Sequence, residues 1–242
     1  MRNTLATLTM VVGFGSGAVV VASCASTPGA QPHDMSAAQH EAMAAAEADA
    51  AASHAAQYEP GASAPDPCIG GAKAYGGCWT SRRNPTAEHL DEAKKHEKMA
   101  ADHRAASQAL RDAEARACVG ISEADRDMSP FAHREDISAV QPATVHLSGK
   151  QPRDMNVGAV VTFRAVPGMT AEWLQRVIDC HLARNAALGH EVAEMPYCPL
   201  VPNYTTATVT GEGDGFAVFV ASTSADSARE IWRRASTLAP AR

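Results

Sequence analysis

Aromatic side chains are scarce in this chain, with only 12 Phe, Trp and Tyr among 242 residues, so a conventional aromatic core cannot run through its whole length. Positive charge is short as well. Against 27 Asp and Glu stand 21 Lys and Arg, for a net charge of −6, which disfavours a phosphate-backbone partner and with it a nucleic-acid role. Beyond the N-terminal stretch, no apolar run approaches the roughly 18 residues a membrane-spanning helix needs. Signatures of nucleotide binding and acyl transfer are missing too. Gly120, Ser122, Ser129 and Ser148 have no Gly-x-Ser-x-Gly setting, no Gly-x4-Gly-Lys occurs, and Gly211 to Gly215 leads into a strand pattern where a phosphate loop would lead into a helix. Asp125, Asp127, Glu135 and Asp136 surround Arg126 and Arg134, a spacing that suits a solvated, locally paired loop better than a general acid–base pair. These absences favour a non-enzymatic role.

What is present begins with an address. Arg2 is the only charge before an apolar stretch containing Leu5, Leu8, Val11, Val12, Phe14, Val19, Val20 and Val21, the layout of a signal peptide. It ends in Val21-Ala22-Ser23-Cys24, which resembles the lipobox of bacterial lipoproteins. The resemblance implies removal of residues 1–23, lipidation (palmitate among the acyl chains) of Cys24 as the mature N-terminus, and a membrane partner held through that lipid. With Ala25 and Ser26 next, and no Asp at 25, it implies sorting to the outer membrane, facing the periplasm. The competing reading is an uncleaved anchor over residues 4–22, which is nearly long enough to span a bilayer. Either way the rest of the chain is exported.

Cys24 aside, five cysteines remain of the six, an odd number in an oxidising compartment. Cys68 and Cys78 enclose a glycine-rich loop that can close a bridge. Cys180 and Cys198 flank a helix end and its Pro-rich return and are the second candidate pair, although spacing alone does not fix connectivity.

Residues 24–35 read as a flexible tether. Between Ser36 and Gln57, 12 of 22 residues are alanine, which favours a helix but gives it little to bury. Prolines and glycines across residues 58–85 force a loop, and a second helix is expected from Thr86, as N-cap, to Ala117. Its least polar stripe, with His89, Ala93, His96, Ala100, His103 and Leu110, follows the first and fourth positions of a heptad. Residues 36–118 therefore read as an Ala-rich helical hairpin carrying the Cys68/Cys78 loop, followed by a linker over 119–136.

Eight of the aromatics lie at or after Phe131, so a conventional core belongs to residues 137–242. Strand patterns at 143–147 and 158–165, an amphipathic helix over 170–188, a hairpin of strands at 205–210 and 216–221, and a helix carrying Ala228, Ile231, Trp232 and Ala235 predict a ββαββα order. The fold class expected is α+β: the N-terminal helical hairpin followed by a small ferredoxin-like sandwich.

The ten histidines are patterned. His40-Glu41-Ala42-Met43 and His96-Glu97-Lys98-Met99 are near-copies, and His33, His40 and His54, like His89, His96 and His103, differ by multiples of seven, so each set lines one helix face. Imidazole and thioether together suit copper, and imidazole suits zinc. The candidate ligands are His40, Met43, His96, Met99 and His103, shared between the helices, because residues seven apart rise about 10.5 Å and cannot comfortably share an ion within one helix. The alternative is that these side chains only fill the seam and fix its register. A weaker cluster, Cys180, His181, His190 and Cys198 with Cys118 and His133 farther off, could hold zinc or Cu(I). No cofactor is required by the sequence; copper or zinc is the one it suggests. The functional reading is a lipid-anchored envelope protein with an interaction or scaffold role toward another envelope protein; its alternative is a periplasmic copper- or zinc-binding lipoprotein.

Overall fold

The computed structural model describes residues 35–65, 82–148 and 153–240. The lipobox with Cys24, His33, and the Cys68/Cys78 pair lie outside the described residues. No helix among the described residues is long and apolar enough to cross a membrane.

The fold is α+β. Helix α1 (Ala37–Gln57) starts with a capping box: the Ser36 hydroxyl accepts from the Gln39 amide at 3.1 Å, and the Ser36 amide donates to Gln39 Oε1 at 2.7 Å. Past α1 the chain forms a short antiparallel pair, β1 (Ala64–Pro65) with β2 (Arg82–Arg83), before entering α2 (Ala87–Ala117). Thr86 is the N-cap residue of α2 but gives its helix no side-chain cap. Its hydroxyl instead donates to Asn84 Oδ1 and accepts from the Glu59 amide at 3.0 Å, which ties the exit of α1 to the entry of α2.

The two helices lie antiparallel, and the heptad explains their contact. One row of seam positions is small and buried, with Ala37, Ala44 and Ala51 on α1 and Ala93, Ala100 and Ser107 on α2. The Ser107 hydroxyl donates to the Ala37 carbonyl at 2.9 Å. The other row holds His40, Glu47 and His54 against His103, His96 and His89. Small side chains let the backbones approach while burying little apolar area.

Helix α3 (Glu123–Asp127) and a 3-10 turn (Arg134–Asp136) follow, and between them Phe131 is fully buried against Phe163. Strands β3 (Ile137–Leu147) and β4 (Arg153–Phe163), helix α4 (Ala171–Ala187), strands β5 (Thr205–Glu212) and β6 (Gly215–Ser222), and helix α5 (Ala225–Ser236) complete the chain. The sheet order is β3-β4-β6-β5 with every neighbour antiparallel. Strands β4 and β5 are therefore parallel, with β6 between them and α4 as the crossover.

Alternate residues of the inner strands, Ala159, Val161 and Phe163 with Val218 and Val220, point into a core closed by Leu174 and Ile178 of α4 and by Ile231, Ala235 and Leu238. Ile231 is fully buried, whereas Trp232 beside it is only half-buried. Strands β4 and β6 approach closely at Gly158, where a Cβ would fall 2.0 Å from the Val220 carbonyl oxygen. A longer side chain has no place there.

The helix pair docks on the body at the end where α1 begins and α2 finishes. Ala37 and Leu110 pack against Ala186 and Ala187 of α4. Gly189, at φ +72°, brings the end of α4 against Ser36, which a Cβ would meet at 2.9 Å.

Candidate functional site

The histidines expected to line the helix faces do meet, in facing pairs one heptad apart. At the docked end, His40 Nδ1 lies 3.0 Å from His103 Nδ1, with His40 only 1% exposed. One ring donates to the other across this contact, the tautomers deciding which. One heptad along, His96 Nδ1 lies 2.5 Å from Glu47 Oε2, so Nδ1 donates to the carboxylate and the ring is held in one orientation. At the open end, His54 Nδ1 and His89 Nδ1 are 3.4 Å apart and half-buried, and the His54 ring also stacks on His96 at 5.4 Å and 11°.

The structure thus brings together His40 with His103, and places His96 with Glu47 and His54. Met43 is 38% exposed and Met99 half-buried. Both sit on the flank of the histidine row, where the sulfur–imidazole convergence the sequence suggested is replaced by imidazole–imidazole and imidazole–carboxylate pairs. Glu47, His54 and His89 were missed as site residues. Their signal was available: His54 and His89 share the seven-residue spacing, and Glu47 occupies the place between His40 and His54 where a histidine is skipped.

The cysteines connect differently from the expected pairing. Cys180 is bonded to Cys118, and Cys198 carries a free, fully buried thiol. The reason is position on α4. Cys180 lies on the side of the helix that meets the C-terminal end of α2, while Cys198 sits in the sheet core with Leu200 and Val201. Burial pushes the Cys198 thiol above its ordinary range.

The weaker cysteine–histidine cluster is likewise dispersed. His181 Nε2 donates to the Asp125 carbonyl at 2.9 Å, and His190 Nδ1 lies 2.8 Å from the Val201 carbonyl. Burial holds His181 below its ordinary pKa, so it stays neutral. His133 is exposed beside Glu135 and Asp136, the one group of three potential ligands among the described residues whose donor atoms already lie within 4.8 Å of one another. Its His133–Glu135 contact is a local, solvated one at 3.2 Å.

The disulfide junction is reinforced by Arg184, which donates to Glu114 at 3.0 Å and to Asp127 at 2.7 Å. Beside it, a cavity of about 390 Å³ opens between α2 and α4, walled by Leu110, Ala113, Leu182 and Ala186 and edged by His190 and Tyr204. No family model, curated protein or solved structure matches the chain. Its function therefore rests on its own residues.

Proposed function

We propose that the chain is an exported protein, lipid-anchored at Cys24 in the cell envelope with its body facing the periplasm, and that its role is a non-enzymatic interaction or scaffold one toward another envelope protein. The observation that carries this reading is Val21-Ala22-Ser23-Cys24 behind a single charge and an apolar run. Two structural features support it. The Cys118–Cys180 bridge suits an oxidising compartment, and the buried titratable groups His181 and Cys198 are occupied with holding the body together. We further read the body as a ferredoxin-like sandwich whose last strand has moved to the front, with β3 filling the vacated edge; the β3-β4-β6-β5 order supports this. The α1–α2 pair is then a helical hairpin projecting from it.

Mass spectrometry of the chain produced in a bacterial host with lipoprotein processing tests the anchor. A diacylated N-terminal Cys24 is expected, with Cys24→Ala accumulating as uncleaved precursor; an unmodified mature N-terminus elsewhere in the wild type refutes it. A second reading, metal binding by the helix seam, is favoured by one observation, the His54–His89 contact between the helices.

A further inference from the structure

We propose that the cavity between the 119–136 segment, the loop after β4 and the first half of α4 binds a small organic cation, an ammonium group carried on an apolar body. The site shares no lining residue with the histidine seam and does not depend on the anchor at Cys24.

The cavity measures about 310 Å³, at the lower end of the ~300–1,000 Å³ of small-molecule pockets, so its ligand is small. Its walls include Met128, Val166, Met169, Trp173 and Val177, and its polar lining is Asp125, Ser129, His133 and Asp136. No Lys or Arg is among the described residues that line it, so its formal charge is negative. Two wall residues are large and apolar yet open to water, Trp173 at 37% exposure and Met128 at 42%. A ligand that covers them gains apolar burial that folding has not used.

Charge decides the class of that ligand. Asp136 is half-buried, and its carboxylate has neither a hydrogen bond nor an ion pair among the described residues. Its backbone alone is engaged, the amide donating to the His133 carbonyl and the carbonyl accepting from the Arg164 amide. The basic residue nearest in sequence is turned away, because Arg134 donates to the Thr237 carbonyl at 3.2 Å and lies 5.5 Å from the centroid of the Tyr197 ring. Asp125 already accepts from the Ser122 hydroxyl at 2.6 Å, and His133 meets Glu135 at 3.2 Å. Asp136 is thus the group left to accept from an ammonium, with Asp125 adding charge. Trp173 supplies the second element, since an indole face attracts a cation more strongly than Phe or Tyr does. The partial positive charge at the start of α4 is offset in place by Glu172 in its first turn and by the Thr170 cap. A carboxylate ligand would meet like charge on Asp125 and Asp136, and a neutral one would cover Asp136 without giving it a partner.

The test is methionine-methyl NMR on the untagged full-length chain in a non-ionic maltoside detergent, titrated with phenethylammonium chloride, phenethyl alcohol and sodium phenylacetate, which share an aromatic body and differ in charge. The cation should move the Met128 and Met169 methyl signals, assigned through Met128→Leu and Met169→Leu, saturably at a Kd of about 1 mM or tighter. The alcohol should bind at least about 10-fold more weakly, and phenylacetate should give no saturable shift. Asp136→Asn should weaken the cation at least about 10-fold and Trp173→Leu about 3-fold, whereas Asp91→Asn, exposed on α2, should leave it unchanged. The three probes are compared on the wild type, so that comparison holds whether or not a variant folds. Alcohol binding as tight as the cation, or an unchanged Kd in Asp136→Asn, overturns charge recognition and with it the site. Saturable shifts confined to other methionines, such as Met43 and Met99 on the helix pair, overturn it by placing the cation elsewhere. The absence of any saturable shift with the cation overturns it as well.

Discussion

Replacing Cys118 and Cys180 together by alanine removes the disulfide that ties the end of α2 to α4 of the sheet body. The cysteines are 62 residues apart in sequence, and cross-linking a loop of that length removes entropy from the unfolded chain worth about 4 kcal/mol at 25 °C in the chain-entropy treatment. Against a total stability of about 5–15 kcal/mol for a domain, that is a large fraction. With a urea slope of about 2 kcal/mol/M, the midpoint of unfolding should fall by about 2 M.

The loss should also be uneven. What remains at the junction is the small apolar contact of Ala37 and Leu110 with Ala186 and Ala187, plus the Arg184 ion pairs, whereas Phe131, Phe163 and Ile231 sit in an undisturbed core. Helical circular dichroism is dominated by α1 and α2, and in a Trp79→Phe background Trp173 and Trp232 report on the body, so the two transitions should separate in the variant and coincide in the protein that keeps the bridge. A midpoint shift below about 0.5 M, or coincident transitions in both proteins, would refute the reasoning. So would non-reducing peptide mapping that joins Cys180 to Cys198.

Two further outcomes follow from the body. Ile231→Ala, at a fully buried site, should cost about 4 kcal/mol, and Trp232→Ala, at a half-buried one, about 2 kcal/mol; chemical denaturation that reverses the order, or finds under about 1 kcal/mol at Ile231, contradicts the packing described. His181 is held below its ordinary pKa by burial, so the unfolded chain binds a proton that the folded chain refuses. Its contribution is complete above about pH 6.5 and is lost as pH falls below that value, and His181→Gln should flatten the stability profile between about pH 5 and 7; an unchanged slope contradicts it.

Helices α1 and α2 were legible to within a residue, because Thr86, Pro85 and the alanine-rich run mark ends that they respect, whereas α3 and the 3-10 turn lie in residues 119–136, read as a linker, because five- and three-residue helices leave no periodicity to see. Strand β3 was read short for an identifiable reason: Pro142 looks like a boundary, yet it pairs with Ala159 on an edge strand, where a missing amide donor is tolerated. Periodicity placed Ile231 and Trp232 on one face but could not rank them, since burial depends on how α5 sits over β4. The partner of Cys180 was not legible, because it depends on how α2 docks on α4. The same holds for the seam. Spacings of seven show which face a histidine is on, but which histidine it meets depends on the offset between two antiparallel helices, and that offset is set by the ties among Glu59, Asn84 and Thr86.

That offset explains why the second seam row is polar. Leucine at His40, Glu47, His54, His89, His96 and His103 would bury more apolar area, but it would pack almost equally well one heptad out of step. In the present register each polar residue has a partner: His40 with His103, Glu47 with His96, His54 with His89. A shift of one heptad sets Glu47 against a different histidine and leaves one end residue of each helix unmatched, so the polar row selects the register at the expense of stability. A pair held this way must be secured at its ends. The Cys118–Cys180 bridge secures the docked end. At the other, the ties among Glu59, Asn84 and Thr86 are the holding contacts, with no covalent bridge among the described residues there, so that end should fray first. Amide hydrogen exchange reads this directly: protection should be highest around Leu110 and fall from Ala50 toward Gln57 and from Ala93 toward Ala87, and uniform protection along both helices would mean that the two ends are held equally firmly.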